Sequence, residues 1–296
     1  MTKPLNLVSR LALGTVQFGM SYGIANQQGQ VSRLAAREML VLANKYAINT
    51  LDTAIAYGES EVCLGEIGTQ GYNIITKLPP IPYGCANVSL WIKEQVQASL
   101  LRLCVSKVYA VMLHCPSQLL SPDGQVIYLA MQDLKSSGIV KKIGVSVYAP
   151  KELQLIIDKF PIDIVQAPFN LIDRRLNNSG LLKKLKVMGV EIHTRSAFLQ
   201  GLLLMPRETR PAKFSKWDSL FHIWHNWLSI NKLSAVHACL AYSLSFPEID
   251  HIVVGADSVE QLKETIDAAT SYANLEFPDI QSDEENLINP SNWSKL

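Results

Sequence analysis

Four residues of the sequence form a set that could transfer a proton to a carbonyl oxygen. Asp52 and Tyr57 lie at the end of the apolar run NTLDTAIA, Lys77 ends IITK, and His114 ends YAVMLH. A nearby ammonium group stabilises a phenolate and lowers the pKa of the phenol. A carboxylate keeps a buried lysine charged, and a histidine can orient the substrate oxygen. The set predicts Tyr57 as general acid, adjusted by Lys77 and Asp52, with His114 orienting the carbonyl.

These residues need a scaffold that brings three strand ends to one place. Short apolar runs rich in Val and Ile, mostly without alternation, predict parallel strands that are covered on both faces. Eight such runs span residues 10–14, 48–52, 72–77, 107–114, 140–146, 162–168, 189–194 and 249–255. In this order, Asp52, Lys77 and His114 end the second, third and fourth strands.

Amphipathic segments between the strands predict helices, the first of them with Ser32 as its N-cap. They span residues 32–46, 89–103, 124–138, 150–160, 179–189, 231–245 and 258–270. Repeated β-then-α units indicate an α/β fold of the (β/α)8 TIM barrel type, in which sites lie at the C-terminal ends of the strands. A doubly wound open sheet is the alternative, but the first turn, GTVQFGMSYG, lacks the G-x-G-x-x-G pattern of that fold.

The remaining chain adds no second domain to this scheme. We expect residues 1–296 to form a single barrel domain with a C-terminal tail from about residue 271, and the simplest interpretation of that tail is a frayed terminus.

Composition limits the classes of partner. The 296 residues carry a formal net charge of +1, and 48% of them are hydrophobic. This balance supports a large core and gives no electrostatic reason to expect nucleic acid or a membrane surface as partner. No apolar run reaches the roughly 18–20 residues of a spanning helix, and five cysteines without a C-x-x-C pattern fit reduced thiols. We therefore expect a cytoplasmic, metal-free protein with a small-molecule partner; the oligomeric state stays open.

The motifs around these residues resemble the catalytic tetrad of the aldo-keto reductase superfamily. They are D-T-A-x-x-Y-G-x-S-E from Asp52 to Glu61, T-K-L around Lys77 and L-H-x-P around His114. Matching segments extend from LALGTVQFG at 11–19 to VVGADSVEQLKET at 253–265. The resemblance implies NAD(P)(H)-dependent reduction of an aldehyde, ketone or sugar-type carbonyl to an alcohol, or the reverse, by hydride transfer with Tyr57 as general acid.

The resemblance also implies a nicotinamide cofactor site. Gly14, Thr15 and Val16 match a turn along the nicotinamide ribose, and Ser146 and Gln166 match carboxamide-binding positions. The loop RSAFLQGLL matches a pyrophosphate-binding loop, although Arg195 replaces a frequent aromatic residue, and Val147 replaces a frequent asparagine. The cofactor positions implied in this way are Gly14, Thr15, Val16, Asp52, Ser146, Gln166, Arg195, Ser196, Phe198, Gln200, Gly201, Gly255, Ala256, Asp257, Gln261 and Thr265.

The segment that would contact the adenosine ribose favours NAD(H) over NADP(H). Relatives that prefer NADPH usually place cations there, whereas this chain has Gly255 and Gln261 with Asp257 between them. A carboxylate repels a 2′-phosphate and accepts hydrogen bonds from a ribose diol. Lys263 is the one cation of the segment that could reverse this preference.

Aromatic residues predict a substrate wall made of Phe18, Tyr22, Tyr83, Trp217 and Trp224, but the simpler interpretation of the segment KFSKWDSLFHIWHNWL is a helix that packs on the barrel. His222 and His225 have a metal-ligand spacing without a third ligand nearby, which favours a helix surface.

Two other functions stay open. A cofactor-binding regulatory or redox-sensing protein with little or no turnover is suggested by Val147 and Arg195. A hydrolase with paired carboxylates is disfavoured, because Asp52 is the only acid at a suitable strand end.

Overall fold

Eight parallel strands form a closed barrel in the structure, a computed structural model that describes residues 7–271 and 275–296. Each strand pairs with the next, and the last closes on the first. The strands are β1 (Leu11–Gly14), β2 (Thr50–Asp52), β3 (Asn73–Leu78), β4 (Val108–Leu113), β5 (Val140–Ser146), β6 (Ile164–Pro168), β7 (Glu191–Arg195) and β8 (His251–Val254). The predicted (β/α)8 TIM barrel is confirmed, and each predicted strand overlaps an observed one.

Helices surround the barrel and connect its strands. They are α1 (Val16–Gly19), α2 (Arg33–Lys45), α3 (Ser60–Ile67), α4 (Val88–Leu103), α5 (Gly124–Ser136), α6 (Pro150–Ile157), α7 (Arg175–Asn178), α8 (Leu181–Val187), α9 (Asp218–Asn231), α10 (Ala235–Leu244), α11 (Val259–Thr270) and α12 (Glu285–Ile288). Within the described ranges, no helix is both long enough and apolar enough to cross a bilayer.

The predicted helices are all present, and Ser32 caps α2 as expected by accepting a hydrogen bond from the backbone N–H of Ala35 at 3.2 Å. Helix α3 was not predicted, because it is short and begins inside the polar Y-G-x-S-E motif. The aromatic segment 213–228 became a short 3₁₀ turn, Ala212–Trp217, followed by α9.

The apolar core lies mainly between the strands and the helices, and the barrel interior is largely polar. The apolar interior cluster consists of Ile75, Ala110, Met112 and Ile164, with Tyr109 against it. Large apolar side chains of the outer layer include Leu11, Leu13, Met39, Ile48 and Leu51. The hydrophobic effect therefore acts chiefly outside the barrel wall, which leaves the inward positions available for polar groups.

A polar cluster occupies the N-terminal ends of β7 and β8, opposite the expected site. His193 Nε2 lies 2.6 Å from Glu191 Oε1, and Tyr109 donates to Glu191 Oε2 at 2.6 Å. Lys142 bonds the same carboxylate. Burial and the neighbouring His193 lower the pKa of His251 to about 4. Potential ligand atoms of Glu191, His193 and His251 lie within 4.8 Å of one another, but the Glu191 carboxylate already accepts from Lys142 and Tyr109.

The C-terminal tail packs against the barrel over residues 275–296. Leu287 and Trp293 are buried, and the Trp293 ring meets that of Phe214 edge-on at 5.0 Å. Lys213 Nζ donates to the Trp293 carbonyl at 2.6 Å, and the Ser282 N–H donates to Ile172 O at 2.9 Å. The expected frayed terminus is therefore wrong for this part, since its apolar side chains are covered. Residues 272–274 of the predicted tail lie outside the described residues.

Candidate active site

The structure brings Asp52, Tyr57, Lys77 and His114 together at the C-terminal ends of β2, β3 and β4. Lys77 Nζ donates to Asp52 Oδ2 at 2.6 Å and to the carbonyl of Thr53 at 3.0 Å. The same ammonium group lies 3.5 Å from the Tyr57 hydroxyl. The rings of Tyr57 and His114 meet edge-on, with centroids 5.8 Å apart. The arrangement can deliver a proton from a phenol and stabilise the phenolate that results.

The charge of Lys77 depends on Asp52, because the lysine side chain is completely buried. Burial lowers the pKa of Lys77, but the Asp52 carboxylate and Tyr57 raise it by more, so the pKa lies above its ordinary value. Gln166 Nε2 donates to the other carboxylate oxygen of Asp52 at 2.6 Å. Both oxygens of Asp52 are therefore engaged, and the ammonium group is held charged and in place.

His114 is neutral at physiological pH. Burial, and next the nearby charge of Lys77, lower the pKa of His114 to about 4. A neutral imidazole beside Tyr57 can hydrogen-bond to a carbonyl oxygen without introducing a second positive charge.

The last two residues of the D-T-A-x-x-Y-G-x-S-E motif fasten the Tyr57 loop to the barrel. Ser60 Oγ donates to the carbonyl of Thr15 at 2.7 Å. The buried Glu61 carboxylate accepts from Thr76 Oγ1 at 2.6 Å and from Arg102 Nε at 2.8 Å. These hydrogen bonds connect the loop to the β1 end, to β3 and to α4, so Ser60 and Glu61 support Tyr57 structurally.

Two glycines let the backbones of α1 and the Tyr57 loop touch. A Cβ at Gly19 would overlap the carbonyl oxygen of Tyr57, and a Cβ at Gly58 would overlap the carbonyl oxygen of Gly19. Gly58 also has a positive φ of 53°, which favours glycine. The position of Tyr57 is thus fixed by direct backbone contact.

A cavity of about 480 Å³ opens beside Tyr57 and Asp52 and contains most of the predicted cofactor positions. Ser146 and Ala256 are the two predicted positions that do not line it. Ser146 lies beneath the cavity, where its hydroxyl donates to Gln166 Oε1 at 3.3 Å, and Ala256 is buried. The predicted positions that line the cavity are Gly14, Thr15, Val16, Asp52, Gln166, Arg195, Ser196, Phe198, Gln200, Gly201, Gly255, Asp257, Gln261 and Thr265.

The end of the cavity at β8 carries carboxylates. Asp257 Oδ1 accepts from Asn26 Nδ2 at 3.1 Å, and the Asp257 N–H donates to Gln261 Oε1 at 2.8 Å. Burial raises the pKa of the Asp257 carboxyl. Glu264 lines the same end. Glu264 was not among the predicted positions, although it follows Gln261 by three residues and so lies on the same face of α11.

The loop after β7 has an unusual backbone conformation and reaches across the cavity. Ser196, Leu199 and Gln200 have φ angles of 65°, 47° and 51°, a left-handed conformation that L-residues rarely adopt and that concentrates at functional sites. Asn170 Nδ2 holds the loop by donating to the Ser196 carbonyl at 3.0 Å. Gln200 Nε2 donates to the Tyr22 hydroxyl at 2.8 Å, which joins this loop to the one that follows β1.

The structure places the residues of the predicted substrate wall in different environments. Tyr22 lines the cavity, whereas Phe18, Trp217 and Trp224 are buried in the core, and Tyr83 is fully exposed and is not among the residues that line the cavity. Trp224 Nε1 donates to the carbonyl of Leu203 at 3.0 Å. These tryptophans pack a helix onto the barrel, which was the simpler interpretation of their segment.

Further residues line the cavity that the sequence did not single out. They come from the loop after β1, from the loop after β7 and from the start of α10, and they include Gln17, Gly23, Ala25, Asn26, Ala197, Leu204, Ser234, Ala235 and Val236. The Oε1 atom of Gln17 is buried and has no hydrogen-bond partner in the described part of the chain. No motif or periodicity in the sequence indicates this set.

Comparisons with known proteins match most of the length of the chain. A family model described as "Aldo/keto reductase family" matches residues 10–282. An L-galactose dehydrogenase of Arabidopsis thaliana is 27% identical over 288 residues, which covers 90% of this chain and 86% of that protein. An NADH-specific methylglyoxal reductase of Escherichia coli is 26% identical over 305 residues, which covers 88% and 90%.

Solved structures show the same fold. The holo form of an aldo-keto reductase from Bacillus halodurans superposes with a TM-score of 0.72 at 20% identity, over 92% of this chain and 89% of that chain. A glycerol dehydrogenase from Gluconobacter oxydans gives a TM-score of 0.70 at 20% identity, over 90% and 88%.

Proposed function

Because the chain belongs to the aldo/keto reductase family of oxidoreductases, we propose that it reduces a small carbonyl compound to an alcohol, or catalyses the reverse, with a nicotinamide cofactor and Tyr57 as general acid. The observation that carries this proposal is the contact of the Tyr57 hydroxyl with the buried Lys77–Asp52 pair at the edge of the cavity.

The proposed chemistry divides between four side chains. Tyr57 gives its proton to the carbonyl oxygen, and the phenolate that forms lies beside the ammonium group of Lys77, 3.5 Å away. Asp52 keeps that ammonium group charged. His114 is neutral and orients the carbonyl oxygen at the ring edge of Tyr57. General acid catalysis of this kind contributes typically about 10²–10⁴-fold to the rate.

The donor set of the cavity fits a nicotinamide dinucleotide, which when bound supplies the hydride. Gln166 and Ser196 offer amide and hydroxyl groups near Tyr57, and the buried Gln17 Oε1 is an acceptor without a partner among the described residues. Gly255 lets the backbone after β8 lie against the Gln17 side chain, because a Cβ at Gly255 would meet the Gln17 carboxamide at 2.6 Å. These residues would hold the cofactor against the strand ends.

We propose NAD(H) rather than NADP(H) as the cofactor. Asp257 and Glu264 line the cavity end at β8, where two carboxylates would repel a 2′-phosphate. Lys263 is exposed and is not among the lining residues, which supports its interpretation as part of a solvated helix face. An L-galactose dehydrogenase and an NADH-specific methylglyoxal reductase among the relatives suggest sugar-type substrates and small aldehydes as the first compounds to assay.

The experiment pairs cofactor binding with turnover. NADH and NADPH are titrated by fluorescence, and reduction of methylglyoxal and of a set of aldehydes and ketoses is then followed by NADH oxidation. Tyr57→Phe is expected to keep NADH binding and to lose turnover by about 10²–10⁴-fold. Tyr83→Phe removes an equivalent hydroxyl in full solvent exposure and is expected to leave both unchanged.

Two outcomes separate the alternatives. Full turnover by Tyr57→Phe would contradict the proposed acid. Tight NADH binding with no turnover on the whole set would instead favour a cofactor-binding redox-sensing or regulatory role, which the replacement of frequent family residues by Val147 and Arg195 also suggests.

A further inference from the structure

Arg195 presents an unneutralised positive charge to the catalytic end of the cavity. It is the last residue of β7, and its guanidinium stacks on the Tyr148 ring at 4.3 Å. Its Nη2 donates to the carbonyl of Val147 at 3.1 Å, and its Nη1 to Ser196 Oγ at 3.3 Å. Within residues 7–271 and 275–296, no carboxylate forms an ion pair with it. Neutral partners hold this charge in place without cancelling it.

Among the cavity-lining residues that the structure describes, Arg195 is the single lysine or arginine. The Asp52 carboxylate at the same end is already engaged by Lys77. Asp257 and Glu264 lie at the β8 end, beside Gln261 and Thr265. The cavity therefore has positive charge near Tyr57 and negative charge at its far end.

Strand register places Arg195 nearer to the cavity mouth than Gln166, which contacts the catalytic Asp52. Gln166 pairs with His193 across β6 and β7, and Arg195 lies two residues further toward the mouth. Gln166 is bonded to Asp52, so the two form the floor beside Lys77. Burial raises the pKa of Tyr22 against the opposing charge of Arg195, and burial and Lys77 lower the pKa of His114 with a smaller contribution from Arg195, so the charge of Arg195 reaches both side chains. A nicotinamide ring bound against Gln166 and Asp52, beside Tyr57, would therefore have Arg195 as its neighbour.

Hydride transfer requires the donor carbon of the nicotinamide ring to lie within about 3–3.5 Å of the substrate's carbonyl carbon. The oxygen of the same carbonyl group contacts Tyr57, so the nicotinamide ring must lie close to Tyr57. Carbonyl reduction moves a hydride to that carbon and a proton from Tyr57 to the oxygen, and it leaves one positive charge on the nicotinamide ring. Tyr57 then regains a proton from solvent. The two cofactor forms thus differ by one positive charge at the position next to Arg195.

Building on the proposed function, we propose that Arg195 makes the site bind the reduced cofactor more tightly than the oxidised one, which lowers the tendency of bound NADH to give up its hydride and speeds the release of NAD⁺. Like charges within about 6 Å at an effective dielectric constant of about 20 repel strongly enough to change a dissociation constant by more than about tenfold. Contacts to the phosphates and riboses are common to NADH and NAD⁺, so their effect cancels in the ratio of the two dissociation constants.

The test measures dissociation constants of NADH and NAD⁺, at low salt, for the unmodified protein, Arg195→Lys and Arg195→Gln. The unmodified protein and Arg195→Lys are expected to bind NADH at least about tenfold more tightly than NAD⁺. Arg195→Gln is expected to reduce that ratio at least about tenfold, mainly through tighter NAD⁺ binding. Lys263→Gln removes an exposed cation outside the cavity lining and is expected to leave the ratio unchanged.

A structural role for Arg195, through the stacked Tyr148, would change both constants by the same factor. An unchanged ratio in Arg195→Gln, with Tyr57-dependent turnover retained, would overturn this inference alone. If neither NADH nor NAD⁺ bound to the unmodified protein, the proposed function would fall together with it.

Discussion

Replacement of Asp52 by asparagine is expected to destabilise the protein by about 3–5 kcal/mol, because it leaves the buried charge of Lys77 without a partner. Lys77 is completely buried and its shortest contact is the 2.6 Å hydrogen bond to Asp52. For a chain of 296 residues, the unfolding entropy corresponds to about 1.5 °C of Tm per kcal/mol. The expected loss of Tm is therefore about 5–8 °C.

The pH dependence of this loss provides a second check. Asp52 is the main group that raises the pKa of Lys77 against burial. In the intact protein the pKa of Lys77 lies above its ordinary value of 10.5, so its contribution to stability is fully present below that pH. In Asp52→Asn, burial would lower the pKa of Lys77 below 10.5, and folding would release a proton. The difference in Tm between the variants should then narrow as the pH rises from 7 toward 10.

The assay is thermal and urea unfolding of Asp52→Asn, Lys77→Met and the double variant. The double variant should lose clearly less than the sum of the single losses, because neither charge is left alone. Asp133→Asn is the control, since it breaks an exposed Lys93–Asp133 pair at 3.1 Å and should cost at most about 1 kcal/mol. A Tm for Asp52→Asn within about 2 °C of the unmodified protein would refute the argument that Asp52 holds a buried charge.

Three further results are expected. His114, with its pKa lowered to about 4, should add no limb to the pH profile of kcat/KM between pH 6 and 8, and the profile of His114→Gln should show whether a limb observed there belongs to this residue. His251 has a folded pKa of about 4 against an ordinary 6.5, so its contribution to stability is present above 6.5 and is lost as the pH falls toward 4; His251→Gln should flatten Tm against pH in that window. Gly58→Ala should cost about 1–3 kcal/mol and reduce turnover, because its Cβ would overlap the carbonyl of Gly19, whereas Gly138→Ala, with open space around it, should cost less in Tm and leave turnover intact.

The barrel and the catalytic set could be predicted because both depend on local signals. Uninterrupted apolar runs mark buried parallel strands, and the ends of adjacent strands must meet, so Asp52, Lys77 and His114 could be placed together before any contact was known. Helix α3 was missed because its start lies in a polar motif. Glu264 was missed because a carboxylate on a helix also suits solvent.

Features that depend on long-range packing could not be predicted. Trp217 and Trp224 suit both a substrate wall and a helix–barrel contact, and only the position of α9 decides between them. The contacts of Trp293 with Phe214, and of Glu191 with Tyr109 and Lys142, likewise join strands or segments whose mutual distance no local pattern specifies.

The polar interior of the barrel has a consequence for how the protein responds to mutation. The slope of denaturant unfolding and the heat capacity of unfolding both follow the apolar surface that becomes exposed. Most of that surface lies between the barrel wall and the helices, whereas the interior apolar cluster contains Ile75, Ala110, Met112 and Ile164. Changes to inward side chains can therefore move the midpoint of unfolding while both quantities stay nearly constant. The barrel interior can thus exchange one set of catalytic groups for another without altering the cooperativity of the fold.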